Sequence, residues 1–223
     1  MKNVSIAIDG PSGAGKSTVA RAVAAKYKFI YVDTGAMYRT IGLAAQYADV
    51  DSKDKEGIIA LLPSVKIDMC YDESGVQRML LDGKDVSTEI RTPRSSIYAS
   101  DVSAYPEVRA FLMDMQRNMA KNYSVIMDGR DIGTVVLPDA KLKIFLTATA
   151  EARAQRRYKE LCEKGMDTTL EEVLRDIHYR DEQDSSRAAA PLKPAEDSVM
   201  LDSTFLTFEE TVAKVCALVE EKA

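Results

Sequence analysis

Short, nearly continuous apolar runs punctuate the chain at Val4 to Ile8, Phe29 to Val32, Ser124 to Met127, Lys143 to Leu146 and Ser198 to Leu201. Each is too short for a helix face, and stretches of helical spacing separate them. That alternation predicts a five-stranded parallel sheet covered on both faces by helices, an α/β fold. The helices announce themselves as stripes. Val108, Phe111, Leu112, Met115 and Met119 fall on one face of residues 107–121; Leu170, Val173, Leu174 and Ile177 repeat the spacing, as do Val212, Val215, Cys216 and Val219. Methionine packs as an adaptable hydrophobe, so these stripes face a core. Between Pro63 and Ser103 the texture changes. Val65 to Tyr71 and Val76 to Leu81 alternate like a hairpin across Asp72 to Gly75, and a polar stretch runs on to Pro93. A small, mainly antiparallel β-subdomain inserted at 63–103 is expected, leaving 1–62 and 104–223 as the main domain.

A chain of 223 residues suits one such α/β core with a small insertion. Its 46% hydrophobic and 29% charged residues are the balance of a soluble globular protein. Val4 to Ile8 is too short for a signal-peptide core or a membrane span, so a cytoplasmic protein without a membrane partner is expected. With no long apolar surface evident, the expectation is a monomer. Cys70, Cys162 and Cys216 are odd in number and lack C-x-x-C spacing, the pattern of reduced thiols rather than of a disulfide framework. His178 is the sole histidine, which excludes multi-histidine metal sites and Ser-His-Asp hydrolases. A net charge of −5 argues against nucleic acid as a partner. An anionic ligand must be held by a local cluster of cations.

One motif supplies such a place. Gly10, Pro11, Ser12, Gly13, Ala14, Gly15, Lys16 and Ser17 satisfy G-x-x-x-x-G-K-[ST], between a strand and a helix. The glycines let backbone N–H groups turn inward, and the following helix adds the positive end of its dipole. Lys16 is expected to reach the outer phosphates of a nucleoside triphosphate, and Ser17 to join a Mg²⁺ shell. Asp128, at the end of the third run, is a candidate partner for that ion through water. No N-K-x-D loop of a GTPase is present.

Arginines stand beside turns at Arg39, Arg109, Arg130, Arg180 and Arg187, with Arg153, Arg156 and Arg157 on the helix after the fourth strand. Singly, each reads as a solvated surface residue; gathered at the carboxyl ends of parallel strands, they suit phosphoryl transfer.

Gly10 to Thr18, Asp33 to Arg39, Asp128 to Val136 and Arg187 to Leu192, taken in order, resemble the bacterial cytidylate kinases. The resemblance runs nearly end to end and includes the 63–103 insertion. It implies a P-loop fold with ATP as donor, Mg²⁺ as cofactor and CMP or dCMP as acceptor, and a mobile helical lid at about 151–190. By matching motif it implies Thr18 in the ATP cradle; Ser100, Arg109 and Asp131 at the base; and Arg39 and Arg130 at the acceptor phosphate, with Thr34 and Tyr38 nearby. Arg180, Asp184 and Arg187 would close over sugar and phosphates. Lid closure would bring Arg153, Arg157 and Arg187 to the transferring group, beside Lys16 and Arg130. A kinase for another small molecule such as shikimate, and a nucleotide sensor without activity, are the competing readings.

Overall fold

The computed structural model describes residues 3–222. The chain runs through β1 (Ser5–Asp9), α1 (Lys16–Tyr27), β2 (Ile30–Asp33), α2 (Thr34–Tyr47) and α3 (Lys55–Leu61). Next come β3 (Ile67–Tyr71), β4 (Gln77–Leu81), β5 (Lys84–Asp85), α4 (Pro93–Val102) and α5 (Pro106–Asn122). After β6 (Val125–Gly129) a π-helical turn spans Ile132–Val136, followed by β7 (Leu142–Thr147), α6 (Ala150–Glu163), α7 (Leu170–Ser186), β8 (Val199–Asp202) and α8 (Phe208–Lys222).

Strands β2, β6, β1, β7 and β8 lie side by side in that order, and every ladder between them is parallel. The predicted sheet is therefore present. Because successive strand residues face opposite ways, β1 feeds two apolar layers at once. Ile6 and Ile8 join Val19 and Val23 of α1 and Val215 and Val219 of α8. Ala7, on the other face, joins Val32, Met127 and the buried sides of α2 and α5. With β1 central, β8 lies to one side and β6 and β2 to the other, so loops at their carboxyl ends flank the loop after β1 from both sides.

The three-stranded antiparallel sheet β3, β4, β5 falls inside the expected insertion. The same interval also contains α4, a helix where a polar tail to a mainly β unit is expected from sequence. Thr92 caps that helix by accepting from the Ser95 N–H, and Pro93 opens its first turn. α4 then lies so close to α2 that a Cβ on Gly42 would come within 2.8 Å of the Tyr98 Cβ. Ile67, Met79 and Leu81 share one apolar core with Met37 and Ile41 of α2. The interval 151–190, where a lid is expected, holds α6 and α7, packed on each other through Ala154, Leu161, Val173 and Ile177. Thr169 and Glu172 form a reciprocal capping box at the start of α7.

Candidate active site

The loop from Gly10 to Ser17 joins the end of β1 to α1. Gly10 has φ +147°, and a Cβ there would lie 1.9 Å from the Leu146 carbonyl oxygen, so only glycine fits. Gly13 and Gly15 also have positive φ, and Gly15 is the N-cap of α1. Ser12 to Thr18 line the cleft, whereas Gly10 and Pro11, expected in the ATP cradle, are not among its lining residues. Lys16 is buried, and its Nζ donates to the Pro11 carbonyl at 2.7 Å. Burial, reinforced by Arg130, pushes its ammonium pKa well below the usual lysine value.

Ser17 donates its hydroxyl to Asp128 Oδ2 at 2.8 Å, and the Tyr31 hydroxyl donates to Oδ1 at 2.8 Å. Burial pushes the Asp128 carboxyl up, and the nearby Asp33 charge adds to this. Thr34 donates to the Asp128 carbonyl at 2.7 Å, tying α2 to β6.

Asp33 caps α2 by accepting from the Ala36 N–H, and its other oxygen accepts from Arg39 and from Arg91, both at 2.9 Å. Burial alone would raise this carboxyl; the two guanidiniums overcome it and hold the group below the usual carboxylate range. Gln77 of β4 clasps the same residue, accepting from the Asp33 N–H at 2.7 Å and donating to its carbonyl at 3.2 Å.

Just beyond the carboxyl end of β6, Asp131 is ion-paired with Arg109, whose guanidinium lies 5.9 Å from the Tyr38 ring centroid. Arg187 approaches Asp131 to 3.5 Å and donates to Ser103 Oγ at 2.9 Å. Asp184 accepts from Arg130 Nε at 2.6 Å and from Ser100 Oγ at 3.1 Å. Burial works to raise Asp184, but Arg130, Arg180 and Arg187 hold it below its ordinary value. Arg180 donates to Ser12 Oγ at 2.5 Å, and burial with Arg130 nearby lowers its pKa to about 10. The Nε atoms of Arg39 and Arg180 are buried without a protein partner.

These residues line one cleft of about 630 Å³. Lys16, Thr34, Tyr38, Arg39, Ser100, Arg109, Arg130, Asp131, Arg157, Arg180, Asp184 and Arg187 all come together there. Arg153 does not, which corrects the expectation that it reaches the transferring group. Its guanidinium donates to the Ser12 and Ala148 carbonyls, both at 2.9 Å, and pairs with Asp181 at 2.6 Å, so it braces the cradle from behind. Arg157 lies at the cleft edge, paired with Glu160 at 2.8 Å. The sequence alone points to no role for Arg91, Leu206 or Phe208, which also line the cleft, the last two from the loop after β8 and the start of α8, nor for Gln77 and Tyr31, which bond to Asp33 and Asp128. Arg156, which the sequence placed in the arginine cluster, also reaches the cleft and donates to the Ser203 carbonyl at 2.5 Å. An N-cap aspartate followed by a helix-facing arginine was a usable signal for Asp33 and Arg39; the others depend on contacts distant in sequence.

A protein-family model described as Cytidylate kinase matches residues 6–221. A cytidylate kinase of Caldicellulosiruptor saccharolyticus is 52% identical over 98% of this chain and 96% of its own length. One from Carboxydothermus hydrogenoformans is 48% identical over 97% of each chain. Among solved structures, a gluconokinase from Sinorhizobium meliloti superposes with a TM-score of 0.50 at 13% identity, covering 99% of this chain and 93% of that one, a likeness of fold.

Proposed function

The chain belongs to the cytidylate kinase family, and from that premise we propose that it transfers the γ-phosphate of ATP to CMP or dCMP in one in-line step. The observation that carries the mechanism is a single cleft lined by both the Lys16 cradle and the Arg109–Asp131 pair. An oxygen of the acceptor phosphate attacks the γ-phosphorus as the bond to the β–γ bridging oxygen breaks, giving CDP and ADP. Holding both nucleotides in line and neutralising the moving charge is the protein's work.

Loop N–H groups and Lys16 hold the donor phosphates. Arg39 and Arg130 take the acceptor phosphate, with Thr34 and Tyr38 beside it; Arg180, Asp184 and Arg187 close over sugar and phosphates. Arg157 approaches from the lid. Fixed guanidiniums suit this because they stay charged and bind oxygens two at a time. Asp131 accepts from the exocyclic amine of cytosine and Arg109 donates to its ring acceptors, with Ser100 alongside. Uracil presents a carbonyl to Asp131 instead, a mismatch of roughly 1–3 kcal/mol.

The Ser17 hydroxyl and Asp128 carboxylate are hard oxygen donors, and a buried carboxylate whose pKa is raised gains from a cation; the pair fits Mg²⁺ held chiefly by phosphates and water. When bound, that ion draws charge from the phosphate oxygens. The reading extends to a monomer acting in the cytoplasm.

Chromatography of products after mixing the protein with Mg·ATP and CMP, dCMP, UMP, AMP or shikimate tests the proposal. CDP and dCDP are the expected products. ATP binding without any phosphorylated product would identify a sensor, and a product from AMP or shikimate alone would identify another kinase.

A further inference from the structure

Asp131 occupies the N-cap position of the Ile132–Val136 turn, yet its carboxylate makes no capping bond there. An aspartate at that position ordinarily accepts from the N–H of the second or third helical residue. Here the acceptor comes from another strand. Asp9, the last residue of β1, accepts from the Ile132 N–H at 2.8 Å and the Gly133 N–H at 2.7 Å, one with each carboxylate oxygen. Its own backbone is fixed in the sheet between Gly129 and Phe145, and its side chain is buried. Gly133 admits it: a Cβ on that residue would come within 3.3 Å of Asp9 Oδ2 and 3.1 Å of Lys143 Cδ.

We propose that Asp9 is a positioning residue for base selection, capping the turn in place of Asp131 so that the Asp131 carboxylate stays free for Arg109, Arg187 and cytosine. The inference rests on the reading that Asp131 recognises the base. Because Asp9 is followed directly by Gly10, the same residue also fixes the acceptor pocket relative to the cradle. Without the Asp9 acceptors, the freed Gly133 N–H attracts the Asp131 carboxylate, which turns onto its own backbone and leaves Arg109.

The test compares Asp9→Asn with Asp131→Asn by steady-state kinetics on CMP, UMP and ATP. The Asn amide keeps only one acceptor, so Asp9→Asn is expected to raise KM for CMP roughly tenfold and to lower the CMP-over-UMP preference by a similar factor. KM for ATP should stay within about twofold. Equal worsening for ATP and CMP, or an unchanged CMP-over-UMP ratio in folded protein, overturns the proposal. If Asp131→Asn itself leaves that ratio unchanged, the base-reading assignment fails, and this proposal with it. Should Asp9→Asn not fold, Asp9→Glu carries the same comparison, since it keeps both oxygens but displaces them by one methylene. A selective loss on the CMP side supports the role, and parallel losses on both sides defeat it.

Discussion

Lys16 is a cation that the fold keeps buried against its own loop and close to Arg130. Such a group is costly to hold charged, a cost that the donor phosphates of the proposed reaction would offset. Lys16→Met should therefore lower CDP formation by about 10²-fold or more while leaving the melting temperature level or slightly higher. Product assays beside a thermal melt check it; intact CDP formation would remove the cradle's role. Asp9 offers a second measurement. Burial raises its carboxyl pKa from 3.8 to about 6. Across that window the folded protein binds a proton the unfolded chain has already released, so this group's contribution is complete below pH 3.8 and lost as pH rises through about 6. Asp9→Asn should remove a pH-dependent component of about 3 kcal/mol, read from the change in urea-unfolding free energy between pH 4 and 7 in the two proteins. At this scale the sequence was legible wherever a motif was local. Lys16, Ser17 and the Asp33 to Arg39 block are neighbours in the chain. Asp9 meets Gly133 only because two parallel strands bring them together, and nothing in either local sequence announces it.

Among the elements, the stripes on α5, α7 and α8 are readable because burial on one helix face leaves a period of 3.6, although Phe111 and Leu170, expected in those stripes to face a core, are exposed at the stripe margins. α4 was not. Its Ser-rich stretch has few apolar residues, and it is held by the close approach of Tyr98 to Gly42, a property of two helices rather than one. Thr92 and Pro93, a cap followed by a first-turn proline, were the local clue. Arg153 and Arg157 show the same limit from another side. One turn apart on α6, they look interchangeable in sequence, but the first is buried behind the cradle and the second edges the cleft. Arg153→Ala should cost about 3 kcal/mol of stability, since it leaves Asp181 unpaired and two carbonyls without a donor. Arg157→Ala should leave the melt nearly unchanged and lower kcat by at least about tenfold. Urea denaturation and initial rates on the two variants separate these outcomes; a reversal of the pattern would return Arg153 to the chemistry.

For the whole molecule, a net charge of −5 coexists with a cleft crowded with arginines, and only the fold turns scattered guanidiniums into one field. Ligands that relieve that crowding should stabilise the protein. At about a hundred times its dissociation constant a nucleotide contributes about 2.7 kcal/mol, a rise of roughly 5–10 °C in melting temperature. Thermal melts with ATP, CMP and both are expected to show this rise. Lys16→Met should abolish the ATP shift and keep the CMP shift; losing both alike would mean one shared site instead of two. The interleaving of Met79 and Leu81 with Met37 and Ile41 has a practical consequence for protein engineering. There is no seam along which the three-stranded sheet could be cut out and grafted onto a relative. A transplant would arrive with its oily underside half bare unless α2, with Thr34 and Arg39 aboard, travelled with it.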